Sequence, residues 1–209
     1  MNTIEDIVLR YSERGMKDIR PYVSTDCCHK AAKEILSWER GNVFLTTGFY
    51  VAGYAETDGP VGTLTLALAL KKLGFSPVML TDSYCEGFFE EQPVGVEYVS
   101  PDAGKNELDE LVTKYRPVGM ISVERCGKND EGLYANMRGV DISPHTAPID
   151  ELFVSYGNRI PSIGVGDGGN EIGMGNLKDV ISEKLSLVPC TVSVNTLIIA
   201  TTSNWGAYA

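Results

Sequence analysis

This chain of 209 residues has no CxxC pair, no run of basic residues and no apolar stretch of membrane-spanning length. Its five cysteines, at 27, 28, 85, 126 and 190, form an odd set, which argues against both a disulfide framework and a thiolate zinc site. Cys27 and Cys28 lie in a helical pattern, where adjacent side chains point about 100° apart. They are therefore expected to pack in the core rather than converge on one ion, in a reducing compartment. Lys and Arg number 18 against 28 Asp and Glu, a formal charge of -10. With no basic block to neutralise phosphates, nucleic acid is not an expected partner. The longest apolar stretch, Leu64 to Leu70, is broken by Thr65 and falls far short of the ~20 residues of a membrane span. Residues 1 to 15 are amphipathic and acidic, unlike a secretory leader, so a cytoplasmic location is expected. Neither GxxxxGK[ST] nor a GxGxxG closing the first strand occurs, so no nucleotide is expected.

What is present is a regular alternation. Short apolar runs near Val43–Thr47, Pro77–Thr81, Val96–Val99, Gly119–Val123, Ser162–Val165 and Leu197–Thr201 read as strands. Helical spacing lies between them: Val61–Leu73 capped by Asp58 or Gly59, Leu108–Tyr115 capped by Asn106, Ile149–Tyr156 with Pro148 at its first position, and Leu177–Leu185 capped by Asn176. Two further helices, around Ile4–Tyr11 and Cys28–Leu36, precede the first strand and are expected to cover one sheet face. The pattern predicts a single α/β domain over residues 1–209: a mainly parallel sheet of about six strands with helices on both faces, Rossmann-like and three-layered. At this size roughly 70% of the unfolded surface can be buried. The closing SNWGAYA starts a helix and then stops, so cover for the last strand is expected from a missing segment or another chain; a homo-oligomer fits that expectation.

The densest chemistry is Gly166–Gly175, GDGGNEIGMG, which sets Asp167, Asn170 and Glu171 among five glycines after an apolar strand. Glycine lets backbone N–H groups approach a ligand closely; the alternative is a plain strand-to-helix turn. Two more polar segments follow strands, Gly48–Gly59 and Glu124–His145. Ligands of open parallel sheets bind beyond the carboxyl ends of the strands, so all three are expected to meet in one pocket. The alternatives are ordinary: Asp58 as a helix cap, Glu124 and Arg125 as rim charges, Arg138, Asp141 and His145 as braces of a long loop.

Four blocks, TTGFYV with AETDGPVGTLTLALALKKLG, ERCGKNDEGLYANMRGVDISPHTAPIDELF, IGVGDGGNEIGMG and TTSNWGAYA, together resemble the D-glutamate cyclase family from about Val43 to Ala209. That domain occurs at the carboxyl end of a mitochondrial enzyme and as stand-alone prokaryotic proteins. The resemblance implies a hydro-lyase that cyclises D-glutamate to 5-oxo-D-proline. Two departures stand out: family sequences continue past the SNWG block, and they tend to carry Asp where this chain has Asn195.

Ring closure requires a base for the amine, an acid for the leaving oxygen, and donors for the tetrahedral intermediate. Asp167, Glu171 and Glu124 are the candidate acid/base pool. Arg138 or Arg125 is expected to grip a substrate carboxylate through a two-pronged bond, with Asp58, Asn170, Asp141 and His145 completing the binding set. The glycine loop's N–H groups are expected to face the intermediate. Asp167, Asn170 and Glu171 are also hard oxygen ligands suited to Mg²⁺ or Mn²⁺. Two rival readings stay open. A non-catalytic module binding an acidic amino acid would share the pocket. A haloacid dehalogenase-like phosphatase shares the look of GDGGNEIGM, but such enzymes need a DxD motif, and no two aspartates here are two positions apart.

Overall fold

The structure, a computed structural model, describes residues 3–209. Six strands form one parallel sheet in the order β5-β4-β1-β6-β7-β8: β1 (Asn42–Thr46), β4 (Ser76–Thr81), β5 (Gly95–Tyr98), β6 (Gly119–Val123), β7 (Ser162–Gly166) and β8 (Thr196–Ile199). The remaining two, β2 (Tyr50–Val51) and β3 (Tyr54–Ala55), make a small antiparallel hairpin. Helices are α1 (Ile4–Val8), α2 (Met16–Ile19), α3 (Cys27–Ser37), α4 (Pro60–Lys72), α5 (Lys105–Tyr115), α6 (Asp150–Tyr156), α7 (Lys178–Lys184) and α8 (Ser203–Tyr208). Each large-sheet strand matches an expected run to within a few residues.

A strand's side chains alternate between faces, and here both faces are covered. Phe44, Val78, Leu80, Met120, Leu197 and Ile199 join Leu108 of α5, Leu152 of α6 and Ile181 of α7 in one core cluster. Their neighbours Val43, Leu45, Met79, Ile121 and Ile198 pack with Ala31 of α3 and with Ala67 and Leu70 of α4 in the other. Apolar residues on both faces explain why the strands read as continuous runs rather than as alternations.

The N-terminal helices depart from expectation. Met16 and Ile19 of α2 belong to one cluster, whereas Cys27, Cys28 and Ala31 of α3 belong to the other. The segment thus wraps the β8 edge instead of covering one face. Thr201 N donates to Val8 O (2.8 Å) and Thr196 Oγ1 to Glu34 Oε2 (2.7 Å). Part of the cover for β8 comes from α3, with α8 packed on α4, and an apolar cavity of about 580 Å³ stays open between α3 and α4 over Ile163, Val165 and Ile198. α2 escapes the sequence pattern because four residues are too few to show a period.

Three other local readings change. Gly104, not Asn106, occupies the cap position of α5. Asn176 does not cap α7; its side chain exchanges hydrogen bonds with both backbone groups of Val194 (2.9 Å each). All five cysteines are free and buried, but Cys27, Cys28 and Glu5 each bring a ligand atom within 4.8 Å of the others. The cause is α1 laid across the start of α3, where Glu5 Oε1 accepts from Cys28 N (3.1 Å) in place of a cap from Asp26. At the departure noted above, Asn195 Oδ1 accepts from Ser162 N (2.8 Å), a bond an aspartate oxygen would also accept. Among the described residues no helix is long and apolar enough to cross a membrane.

Candidate active site

The strand order reverses between β1 and β6, and such a point opens a crevice at the carboxyl ends of parallel strands. Four chain segments enter it, following β1, β6, β7 and β8. Asp58, Glu124 and Asp167 each bring a carboxylate oxygen within 4.8 Å of the others. All three expected rim segments thus meet.

Local backbone chemistry sets each residue. Glu124 directly follows β6 with φ 50°, a left-handed conformation that costs a non-glycine residue about 1 kcal/mol or more and is concentrated at functional sites. Its side chain lies against Gly59, where a Cβ would come 2.8 Å from Glu124 Cβ and 2.5 Å from Thr47 Oγ1. Only glycine fits that approach, and its φ of 98° requires the same residue. Ser203 Oγ, fully buried, donates to Glu124 Oε2.

Two helix starts are capped reciprocally across this crevice. Asp58 Oδ2 accepts from Ser203 N (2.9 Å) and Oδ1 from Asn204 N (2.7 Å), placing an anion at the start of α8. In return Asn204 Oδ1 accepts from Gly59 N (3.1 Å) and Gly62 N (2.6 Å) at the start of α4. The SNWG block and the TDGP turn therefore hold each other, and with them the Asp58 and Glu124 carboxylates.

The crowding of acids changes their titration. Burial, with Glu171 and Asp167 nearby, raises Glu124 well above the usual carboxylate range. Burial and Glu171 push Asp167 up to about 8 despite Arg14, whose Nη1 donates to Asp167 Oδ1 at 2.7 Å. Glu56, half-buried, is pushed up to about 7 by burial and by Asp58. Asp167 and Glu56 therefore exchange protons near neutral pH. Beside them is a cavity of about 300 Å³ walled by Arg14, Glu56, Glu124, Asn136, Arg138 and Asn170, with Phe49, Val51 and Met137 supplying apolar surface.

The other sequence-expected residues divide. Arg138 lines this cavity and Asn170 does too, its Nδ2 donating to Ala135 O (2.8 Å) while its buried Oδ1 has no partner among the described residues. Arg125 does not. It is wholly buried, with Nη1 donating to Asp82 Oδ2 (2.7 Å) and Gly48 O (2.8 Å) and Nη2 to Ala147 O (2.9 Å). Those partners make it a brace among strand ends rather than a grip for substrate. Glu171 is also turned inward: its Oε2 accepts from Gly169 N (2.7 Å). Burial raises its pKa, while the backbone N–H groups of Gly169, Glu171, Asp167 and Gly168 oppose the rise. The loop's amides thus face Glu171 and not the cavity. Asp141 is exposed and accepts from Ser143 N (2.8 Å) within its own turn. His145 stacks on Tyr50 (centroids 4.2 Å) with Nδ1 2.6 Å from Tyr84 Oη, bracing the β2–β3 hairpin outside the cavity wall.

For a divalent cation, Asp58, Glu124 and Asp167 bring one carboxylate oxygen each within 4.8 Å of one another; of the expected Asp167, Asn170 and Glu171, this group contains Asp167. Its donor chemistry suits a hard ion, and Asp167 Oδ2 is buried without a partner among the described residues. Against this, Asp58 is committed to α8 and Asp167 Oδ1 to Arg14.

Sequence reasoning missed Arg14 and Ser203 as site residues. Arg14 comes from an N-terminal turn remote from any strand end, a placement no motif signals. Ser203 stood inside the SNWG block, but its bond to Glu124 depends on α8 folding back onto β6.

Solved structures that align with part of this chain include two NAD complexes of Bordetella bronchiseptica, the enzymes WbmG (10% identity, TM-score 0.39, 62% of this chain and 38% of that one) and WbmH (14%, 0.38, 61% and 39%). At those scores the likeness carries no argument. The human protein D-glutamate cyclase, mitochondrial, is 29% identical over 197 residues, covering 80% of this chain and 32% of its own length. The chain thus spans about a third of that curated relative. Residues 4–209 match the family described as D-glutamate cyclase-like, C-terminal, and the chain belongs to that family.

Proposed function

We propose that the protein is a hydro-lyase that closes D-glutamate into 5-oxo-D-proline and water without ATP. The observation that carries this is a cavity whose wall joins two arginines to two carboxyl groups, Glu56, pushed up to about 7, and Glu124, raised well above the usual carboxylate range. The cavity's volume suits a small amino acid.

Proton accounting explains why such a site is apt. The substrate ammonium loses two protons on becoming a lactam N–H, and the departing γ-carboxyl oxygen gains two on leaving as water. The site therefore relays protons rather than consuming them. Neighbouring carboxyls with displaced pKa values can do both tasks. Asp167 and Glu124 are assigned as the pair, Ser203 holding Glu124 in place, and Glu56 stands at the cavity wall as a further carrier. The arginines hold substrate carboxylates, and Asn170 Oδ1 is a free acceptor for the ammonium. Mg²⁺ or Mn²⁺ on Asp58, Glu124 and Asp167 would add Lewis-acid polarisation of the γ-carboxyl. The free cysteines support a reducing, cytoplasmic setting.

The test is incubation of the protein with D- and L-glutamate, with and without Mg²⁺ or Mn²⁺, followed by chiral chromatography. The expected result is 5-oxo-D-proline from D-glutamate. Inversion at the α-carbon moves the amine away from its base, and a 1 Å misplacement can cost about 10²-fold, so L-glutamate should react at least that much more slowly. Binding of D-glutamate with no 5-oxoproline under any condition would make the protein a binding module instead.

A further inference from the structure

We propose that Arg14 and Arg138 form a two-point clamp for a dicarboxylate of glutamate's length, and that Arg14 leaves Asp167 to take one of its carboxylates. The proposal rests on the reading of the cavity as an acidic amino-acid site and adds the residues that select for a second carboxylate.

Arg14 reaches the cavity from the turn between α1 and α2, which the rest of the fold pins in place. Thr201 N donates to Val8 O (2.8 Å) and Thr201 Oγ1 to Arg10 O (2.7 Å). At Gly15, φ is 83° and an added Cβ would lie 2.3 Å from Leu185 Cδ2. The turn is held, but the Arg14 side chain at its tip is 51% exposed and its guanidinium makes one hydrogen bond among the described residues, to Asp167. A guanidinium has five N–H donors in a fork that matches a carboxylate, so most of its capacity is unused. Arg138 is exposed on the same cavity wall and its side chain has no partner among the described residues.

Charge makes both arginines necessary. The cavity is walled by Glu56 and Glu124, with Asp167 behind Arg14, and an entering carboxylate is repelled unless it meets a cation. Arg14 and Arg138 are the two cationic residues of that wall. A ligand with two carboxylates can engage both, while one with a single carboxylate leaves one arginine on solvent or on Asp167. When Arg14 turns to the ligand, Asp167 Oδ1 is released beside it, so binding the correct substrate also uncovers the proton carrier.

The clamp is read by binding, independently of turnover. The probes are glutarate, which has two carboxylates at glutamate's spacing and no amine, and butyrate, which has one. Calorimetric titration of the whole protein should give glutarate a tighter Kd than butyrate by about 10- to 100-fold, the range of one added charge-assisted pair. Arg14→Gln and Arg138→Gln should each bring that ratio to within about threefold, and Arg14→Lys should leave it intermediate, since an ammonium lacks the fork. In the wild-type protein, glutarate should shield Arg14 from phenylglyoxal, read by peptide mass. That arm holds even if a variant does not fold. An unchanged ratio in Arg14→Gln, no glutarate preference in the wild type, or no shielding of Arg14 would each overturn the clamp. If 5-oxoproline forms yet Arg14→Gln keeps the ratio, the clamp fails alone; if the ratio collapses yet no 5-oxoproline forms, the cyclase reading fails alone.

Discussion

Asp167 and Glu171 stand four positions apart in one glycine loop, yet their surroundings assign them different work. Asp167 has one oxygen on Arg14 and the other buried without a partner, so it is poised to exchange a proton. Glu171 instead organises the amides of its own loop. Gly168 shows how tightly, because a Cβ there would lie 2.9 Å from Glu171 Oε1 and 3.1 Å from Asn170 Oδ1. Asp167→Asn is accordingly expected to fold and to lose at least about 10²-fold in turnover. Glu171→Gln should instead be destabilised by about 1–3 kcal/mol, because half of the acceptor becomes a donor facing donors. Urea melts of the two variants beside their rates of 5-oxoproline formation separate the roles. Wild-type turnover in Asp167→Asn would remove it from the mechanism. The sequence made both acids visible; it could not tell them apart, because the direction of each carboxylate is set by loop φ angles and not by spacing.

Elements were more legible than the contacts between them. The six strands of the large sheet follow from apolar runs buried on both faces, and α4 follows from Pro60 opening an apolar stretch. The parallel sheet then dictates where the site lies. What the sequence hid were pairings distant along the chain: Asp58 with the start of α8, Asn204 with the start of α4, and Arg14 with Asp167. Each joins residues more than 140 positions apart, and nothing local encodes it. Arg125 was misread for the same reason, since its partner Asp82 belongs to another strand end. The reciprocal caps lead to a test at this scale. Asn204→Ala leaves Gly62 N at the start of α4 without its acceptor and Gly59 N with Asp58 Oδ1 alone (3.1 Å), and should cost about 0.5–2 kcal/mol in urea unfolding. Because the same contact steadies Asp58 and Gly59 beside Glu124, turnover should fall by more than the fraction unfolded explains. Loss of stability with full activity in the folded fraction would show that the caps serve the fold alone.

The whole molecule should register the strain of its site as a pH dependence. An acid whose folded pKa lies above its unfolded value binds more protons in the native state, so stability declines as pH rises between the two. Asp167, at about 8 against 3.8, and Glu56, at about 7 against 4.5, place that decline between about pH 4 and pH 8, and Glu124 is shifted the same way. Carboxylates with lowered pKa values, such as Glu90 at about 2 and the half-buried Asp109, act oppositely, and their contribution is lost as pH falls below about 4. Stability should therefore peak near pH 4 and fall toward pH 8, where the charged site costs most. A Glu124→Gln/Asp167→Asn double variant removes two of the groups responsible. Its melting temperature should exceed that of the wild type at pH 8, by about 2–4 °C for each kcal/mol relieved, and the gain should shrink toward pH 5. Such a gain with loss of turnover is the trade expected when a fold holds reactive groups against their solvation preference. Melting curves at pH 5, 6.5 and 8 decide it: parallel profiles for wild type and double variant would mean that the cluster is not where the protein stores its unfavourable charge.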